Sequence, residues 1–480
     1  MSSLLASLSN SGNALGVLQQ ALSVIQNNVS NASTPGYATQ QLNLEALPMD
    51  VASGGAGGVA ARGLISSRND LMDSAVQHQL QALGLYTAQA QSTATVQSFF
   101  DVSGATGVPT ALSSLFARFS AWSASPTDAV TEQSVISAAA NVANSINGLS
   151  SSLGGTARNL SQQISSTVSQ INSISAQIQQ YNVTRTQETQ PDPGADAQLH
   201  SALENLANLT NFTALTQADG TVTVLIGGST PLVSGDTKYA LSSADFVNTQ
   251  PSPTNPGAPP TAHVLNSQGA DITTEITGGQ LAGLLDSRNN VLGSILGTAQ
   301  EQGTLNQFAT GLATAVNQIL QSGTVSTSPG AASGAPLFTL DTADPTLAAG
   351  TIRLNPGITV DQLAPVDSNG NSNGNATALA ALANGTTPQG QIAGFSFAGF
   401  FGQIAAAAGQ ANQSAQNNQQ SQQQVVSQVT SLRDQVSGVS LDGQAAAVLE
   451  FQRAYQAVSR VLTTMNSLLD SALALLPQAP

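Results

Sequence analysis

Asn27-Asn28-Val29-Ser30-Asn31-Ala32-Ser33-Thr34-Pro35-Gly36-Tyr37 closes the first run of regularly spaced apolar residues in this 480-residue chain. Before it, Leu4, Leu8, Ser11, Leu15, Leu18, Leu22, Ile25 and Val29 alternate spacings of 4 and 3, and all but Ser11 are large aliphatics. At the other end Val448, Phe451, Tyr455, Val458, Leu462, Met465, Leu469, Ala472 and Leu476 alternate 3 and 4 in the same way. A repeat of 3.5 residues keeps one stripe turned toward a partner helix. The two ends are therefore expected to pair as helices about 40 Å long at 1.5 Å per residue. Thr34-Pro35-Gly36-Tyr37 explains the end of the first helix: Pro35 cannot continue the ladder, and Gly36 supplies the positive φ of a type II turn. Asn27, Asn28 and Asn31 sit where short amides satisfy the last carbonyls of a helix.

Composition narrows the classes of function. Charged residues make up 8% of the chain and aromatics 4%, yet 41% is hydrophobic and the apolar residues are periodic, which fits long helices with small polar faces rather than disorder. The formal charge is −15 and Lys238 is the sole lysine, a surface unsuited to a phosphate backbone or an anionic membrane, so nucleic acid is not an expected partner. Nothing reaches membrane-spanning length, so no membrane insertion is expected. From Met1 to Leu44 there is no charged side chain, which suits a segment buried among neighbouring protein subunits. The apolar positions at the N-terminus have no Lys or Arg before them and form no continuous apolar run, unlike a conventional signal peptide. The absence of cysteine excludes a disulfide framework, a thiolate metal site and a cysteine nucleophile.

Between the ends the chain reads as mainly α, with a small β-rich insertion. An extended stretch, Gln41 to Leu47, leads to a glycine-rich connector at 53–58. Helix is expected from about Ser66 to Phe100, over Ala111 to Trp122 and over Thr131 to Ile146, the last two separated by Ser125-Pro126-Thr127-Asp128 with its capping residues. A further long helix follows from Ile146 to Tyr181, breaks at Gln190 to Gly194 and resumes from Leu199 to Leu209. Phe212 to Thr216, Asp219-Gly220 and Thr221 to Ile226 predict a hairpin, with more strands at Thr237 to Leu241 and Ala262 to Leu265 and a linker at Pro251 to Pro260. Helix returns from Gly279 to Ile319, and turns with a few strands fill Gln321 to Gly390. From Phe400 to Val436 the 4 and 3 spacing resumes, and the amide-rich Gln410 to Gln424 keeps its frame as the polar part of one helix. The expected organisation is 1–45 plus 438–480 as a terminal coiled coil, 60–210 plus 279–322 plus 395–437 as a long-helix bundle, and 211–278 plus 323–394 as an inserted β-rich outer domain.

No catalytic or cofactor-binding constellation stands out. His78, His200 and His263 lie far apart without metal-ligand spacing and read as surface or boundary residues; Asp192 and Asp196 flank a Pro-Gly turn. There is no Walker pattern and no Gly-x-Ser-x-Gly elbow, so a non-enzymatic protein without cofactor or metal is expected. Tyr37, Phe451 and Tyr455 are expected in the core of the terminal helix pair.

The run from Asn28 to Tyr37 resembles the N-terminal signature of the bacterial flagellar axial family, the rod, hook and hook-associated proteins, and Phe451-Gln452-Arg453-Ala454-Tyr455-Gln456-Ala457 resembles its C-terminal signature. Asp70 to Gln81 is similar to the helix that follows Thr-Pro-Gly-Tyr in the members that join hook to filament. Two departures stand out. Leu199 to Leu206 lacks the charged Leu-Leu-Asp-Gln-Arg-Asp pattern and hence its ion pairs, and Leu441 to Ala446 lacks the further acids that relatives carry. The resemblance implies a structural, self-associating subunit at the hook-filament junction that allows filament assembly. Its terminal helices would form the inner tube of a ring, through the heptad residues together with Asn28, Asn31, Thr34, Pro35, Gly36 and Tyr37. It also implies contacts with the hook protein and the next hook-associated protein, a cytoplasmic export chaperone at the C-terminal helix, and type III export without a cleaved signal to an extracellular place on the flagellum. A hook or distal rod protein is the alternative within the family; a secreted coiled-coil adhesin or type III effector is the alternative outside it.

Overall fold

The computed structural model describes residues 2–50, 55–100, 107–188, 192–246, 260–298, 301–341 and 343–474. Helix α1 (Ser2–Ser30) ends in the anticipated turn: Tyr37 N–H donates to the Thr34 carbonyl at 3.2 Å and Gly36 sits at φ +74°. Strands β1 (Gln40–Asp50) and β2 (Gly55–Ser66) form an antiparallel ribbon against α1. The glycine stretch is thus strand from Gly55 onward rather than connector; its residues 53 and 54 lie outside the described residues. The ribbon returns the chain to where it began, since Ser67 N–H donates to the Thr39 carbonyl at 2.8 Å.

Helix α2 (Asp70–Ser98) starts at Asn69, whose side-chain oxygen accepts from Leu71 and Met72 N–H at 3.1 and 3.2 Å, with Asp70 and Asp73 placed favourably in the first turn. After α3 (Val108–Ala124), Asp128 caps α4 (Ala129–Gln187), a 59-residue helix. The two helices read from the sequence on either side of Ile146 are one. It runs unbroken through Gly148, Gly154 and Gly155 because buried Val142, Ile146, Leu153, Leu160, Ile164 and Ile171 pack along it, which outweighs a glycine penalty of about 1 kcal/mol each. Asp192 caps α5 (Pro193–Leu209), accepting from Gly194 N–H at 2.9 Å, and the helix begins six positions before Leu199 because Pro193 suits its first turn.

The β region comprises β3 (Thr213–Thr216), β4 (Val222–Ile226), β5 (Thr230–Ser234) and β6 (Thr237–Lys238) in a meander, then the pair β7 (Ser242–Phe246) and β8 (Thr261–Leu265). The hairpin at Asp219-Gly220 is present as read; β5 and β7 were not foreseen, and the linker at Pro251 to Pro260 lies outside the described residues apart from Pro260. The expected continuous helix from Gly279 is three pieces: α6 (Gly279–Asp286), a π turn at Ser287–Val291 running into α7 (Leu292–Leu296), and α8 (Thr304–Ser322). The break falls at Gly297 and Gly303, both at positive φ and so close that a Cβ on Gly303 would stand 2.3 Å from Gly297 N.

Between α8 and the next long helix come β9 (Phe338–Thr339), α9 (Ala348–Thr351), β10 (Arg353–Leu354), α10 (Gly374–Ala381), β11 (Gln391–Ile392) and β12 (Phe395–Ser396). This segment docks on α8, α3 and the first part of α4, where Asn147 donates to the Ala349 carbonyl at 2.7 Å; the β3 to β8 strands instead dock on the later part of α4, near Asn172 and Asn182. Helix α11 (Phe397–Ser437) enters the core through buried Phe397, Phe400 and Phe401, and Phe397 and Phe401 meet Phe100, Phe116 and Phe308. It then runs back along α2. Its amide-rich middle is one helix, with Gln422 donating to Gln79 at 2.7 Å and Gln419 to Thr87 at 3.4 Å. Helix α12 (Leu441–Ala474) closes the chain antiparallel to α1. The architecture is mainly α, with a β-rich insertion.

One device recurs where helix meets extended chain. An asparagine amide accepts from the N–H and donates to the C=O of a single residue, as a neighbouring strand would. Asn28 does this to Gln40, Asn172 to Leu241, Asn182 to Val222, Asn289 to Ala262 and Asn317 to Phe338, at 2.7–3.0 Å throughout. Buried backbone groups need such partners, and neutral amides supply them here without charge.

Candidate assembly interface

The heptad residues meet as a partly covered seam. On α1, Leu8, Leu15, Leu18 and Leu22 are half-buried and Ile25 is buried. On α12, Val448, Phe451, Tyr455, Val458, Leu462, Met465 and Leu469 are all half-buried, and no described side chain of this helix is fully buried. The Ser11 hydroxyl lies 3.9 Å from the Met465 sulfur, which locates the crossing. Leu476 and the side chain of Leu4 lie outside the described residues. Val29 is 45% exposed, since the helix ends there and the buried place is taken by Asn28 at 1%.

The sequence reading missed a second stripe on α1. Ser7, Asn10, Ala14, Val17, Ala21, Val24 and Asn28 alternate 3 and 4, and Asn10 and Asn28 both bond to the β1/β2 ribbon, at Gly57 and Gln40. Those two asparagines lie about five turns apart on one face at 3.6 residues per turn, and buried Val17 and Ala21 fall between them. The small residues of this stripe let the ribbon approach, while the aliphatic stripe is left for α12. Thus α1 is covered on two sides and α12 on one.

Asn28 joins all three elements. Its Oδ1 accepts from Gln40 N–H and the Tyr37 hydroxyl, both at 2.9 Å, while its Nδ2 donates to the Gln40 carbonyl at 2.8 Å and to Gln444 Oε1 at 3.2 Å. Burial pushes the Tyr37 phenol above its ordinary value, so it remains a donor. Asn31 bonds back to Asn27 at 2.8 Å and accepts from Thr34 at 3.1 Å. Thr34 and Pro35 face solvent, and Gly36 is half-buried against α5, where a Cβ would stand 2.4 Å from the Ala197 carbonyl oxygen.

Below this turn lies a group of charges not singled out from the sequence. Arg68 donates to Asp73 at 2.9 Å, to Asp196 at 2.9 Å and to the Gly36 carbonyl at 2.6 Å. Arg433 from α11 bonds to Glu204 and approaches Asp73 at 4.0 Å. His200, expected at a surface or boundary, is 15% exposed between Asp73 and Asp196, at 3.5 and 3.6 Å. Burial, together with the Arg68 charge, holds its imidazole below the ordinary value against the pull of the carboxylates. Burial likewise raises the Glu204 carboxyl, with Arg433 opposing. Within Leu199–Leu206, Glu204 thus finds its ion pair in Arg433 of α11, and Arg68, two residues before α2, pairs beside it with Asp73 and Asp196. The available signal was scarcity, since a chain with 11 cations uses two of them here. Among the described residues no group of three or more His, Cys, Asp and Glu is placed to hold a metal ion, and no helix is long and apolar enough to cross a membrane.

Comparison with known proteins matches three stretches of the chain. Residues 93–338 match the family model described as flagellar hook-associated protein FlgK helical domain, residues 8–37 match that of the flagella basal body rod protein, and residues 430–475 match that of the flagellar basal body rod FlgEFG protein C-terminal. The chain is 26% identical to flagellar hook-associated protein 1 of Bacillus subtilis (strain 168), over 98% of each. Its fold is similar to the flagellar hook junction protein FlgK from Burkholderia pseudomallei, with a TM-score of 0.60 at 16% identity, covering 77% of this chain and all of that one.

Proposed function

Because the helical-domain family model spans more than half of it, the chain belongs to the flagellar hook-associated protein FlgK family, and on that premise we propose that it is a structural subunit of the junction between hook and filament. The observation that carries this reading is the unfinished seam: an antiparallel pair made from both chain ends, bearing the family's two terminal signatures, in which every described heptad position of α12 stays half-exposed. Copies of the chain stand side by side in a ring, with their α1/α12 pairs as its innermost layer. Each contact buries apolar stripe, at roughly 25 cal/mol per Å² before ordering costs. The heptad residues and the Asn28 to Tyr37 segment are the assembly surface, the long-helix bundle forms the wall, and the β-rich segments lie outside it. The hook protein and the next hook-associated protein are the axial neighbours, and a cytoplasmic export chaperone covers α12 before the subunit reaches its extracellular place.

Deleting the gene in the source bacterium tests this. Hooks without filaments, with filament protein shed into the medium, are the expected result under the electron microscope. Intact filaments in a strain with no second copy would overturn it.

A further inference from the structure

The terminal unit and the body meet at three chain passages, 37–40, 66–69 and 437–440. Thr39 N–H donates to the Ser437 carbonyl at 2.9 Å, Thr39 Oγ1 to the Gly438 carbonyl at 2.8 Å and Ser67 Oγ to the Ser437 carbonyl at 3.1 Å. Helix is broken at every passage, including Gly438 between α11 and α12. Three short crossings that lie together resist separation of the two parts, but resist rotation about their common point only weakly.

A contact that opposes that rotation is reached from within the crossing, by the side chain of Arg68 in the 66–69 passage. Gly36, at the tip of the turn, is held against α5 by Arg68, whose side chain is 10% exposed. Its guanidinium reaches three elements at once: the turn through the Gly36 carbonyl, α2 through Asp73, and α5 through two bonds to Asp196, at 2.9 and 3.1 Å. Among the described residues it supplies the one charged bond to the turn. A planar fork with five donors suits acceptors on three sides, whereas an ammonium is a point charge that cannot hold them together. Arg433 serves as an internal comparison, since it is similarly enclosed but bonds to Glu204 and Asp434 within the body.

We propose that Arg68 is a positioning residue that fixes the angle between the terminal helix pair and the body. Resting on the junction reading above, the same contact sets the tilt at which the pair meets its neighbours in the ring. The clasp itself is a property of the single chain and is tested on it.

The chain has no cysteine, so two introduced ones report without background. Spin labels at Gln452→Cys on α12 and Ser166→Cys on α4, both exposed positions, give the distance between pair and body. With Arg68 intact the distribution has one narrow peak. Arg68→Gln shifts it or broadens it at least about twofold, and Arg68→Lys, which keeps charge and stem, does the same because the fork is lost. Arg433→Gln keeps the narrow peak even though it lowers the melting temperature. The His200 imidazole, followed by NMR, titrates higher in Arg68→Gln, since the neighbouring positive charge is gone and the two carboxylates remain.

An unaltered narrow peak in folded Arg68→Gln, or in Arg68→Lys should the glutamine variant fail to fold, overturns the clasp. Broadening in Arg433→Gln equal to that in Arg68→Gln also overturns it, because any lost ion pair would then suffice. A shifted angle in a variant that still builds normal filaments leaves the clasp standing and refutes its part in assembly.

Discussion

Replacing Asn28 by alanine removes an amide that α1, the β1/β2 ribbon and α12 share. Four bonds go: two to Gln40, one from Tyr37 and one to Gln444. Tyr37 and Gln444 are half-buried and can turn toward water, but Gln40 is 6% exposed and its N–H and C=O at this point face α1. Two buried backbone groups left unpaired cost about 1–3 kcal/mol each, so the terminal unit should lose about 2–6 kcal/mol. Since about 1.4 kcal/mol is a factor of ten, local opening becomes about 30- to 20,000-fold more frequent. Hydrogen exchange is the assay, because a chain of several packed parts need not unfold in one step and a single melting temperature would average over them. Amides of Val17 to Ile25 and of Val448 to Val458 should exchange faster by that factor, while those of α4 stay as they were. A change below about threefold at both stretches would refute the reasoning, since the desolvation penalty of the orphaned Gln40 groups would then be absent.

Other expectations follow from the same contacts. Leu462→Asp with Leu469→Asp places two carboxylates on the half-buried seam and should weaken both chaperone capture and incorporation into the flagellum; normal incorporation of the double variant would separate the two surfaces. Asn182→Ala strips Val222 and Gly235 of their partners on α4, so amide protection of β4 and β5 should drop about tenfold or more for a loss of about 1–3 kcal/mol per buried group. Gly36→Ala costs about 1–2 kcal/mol for the left-handed conformation alone, and its methyl displaces the turn from α5, which chemical shifts of Ala197 and Ser201 would report. His200 lies below its ordinary value of 6.5, so as pH falls through that value the unfolded chain takes up the proton first and stability is lost. His200→Asn should flatten that acid slope in melting curves and leave stability at neutral pH and above nearly unchanged. Glu204, raised by burial, slopes the other way, which is why the comparison needs the single variant.

What was legible in the sequence was the part governed by local rules. Heptad spacing placed α1 and α12, Thr34-Pro35-Gly36-Tyr37 announced the turn, and Asp219-Gly220 announced a hairpin. The errors fall where distant packing overrides local preference. Three glycines do not interrupt α4, because segments distant in sequence dock on both ends of it, the 348–354 region on the first part and the β3 to β8 strands on the later part. Gly55 to Gly58 form strand rather than connector, because α1 offers a face of Ala14, Val17 and Ala21 on which a ribbon with little side chain can lie. That face is itself a heptad stripe, hidden because its residues are small. The exposed line Val425, Leu432 and Val436 shows the opposite error: it carries the expected spacing on α11, yet the side turned to α2 is rotated by one position and runs through Gln419, Gln422, Val426 and Arg433. Spacing reports which residues share a side, not which side is covered. The charges beneath the turn were invisible for a related reason, as Arg68, Asp196 and Arg433 come from three separate stretches.

The chain assigns different side-chain chemistries to different joins. Where helix meets extended backbone inside one subunit, asparagine amides make the bond, and being neutral they can be buried without the penalty an ion would bring. Beneath the turn, buried charge holds three elements together, because a fork can satisfy several acceptors at once. Aliphatic stripe is left half-exposed where the chain ends meet. A seam held by neutral apolar contact does not weaken when salt screens charges, and it grows with each neighbour added. An assembly built on such seams should therefore resist high salt while yielding to agents that solvate apolar surface, such as urea. Loss of the ring in concentrated salt with urea absent would mean that charged contacts carry the assembly, and the heptad stripes would then have to be read as internal packing alone.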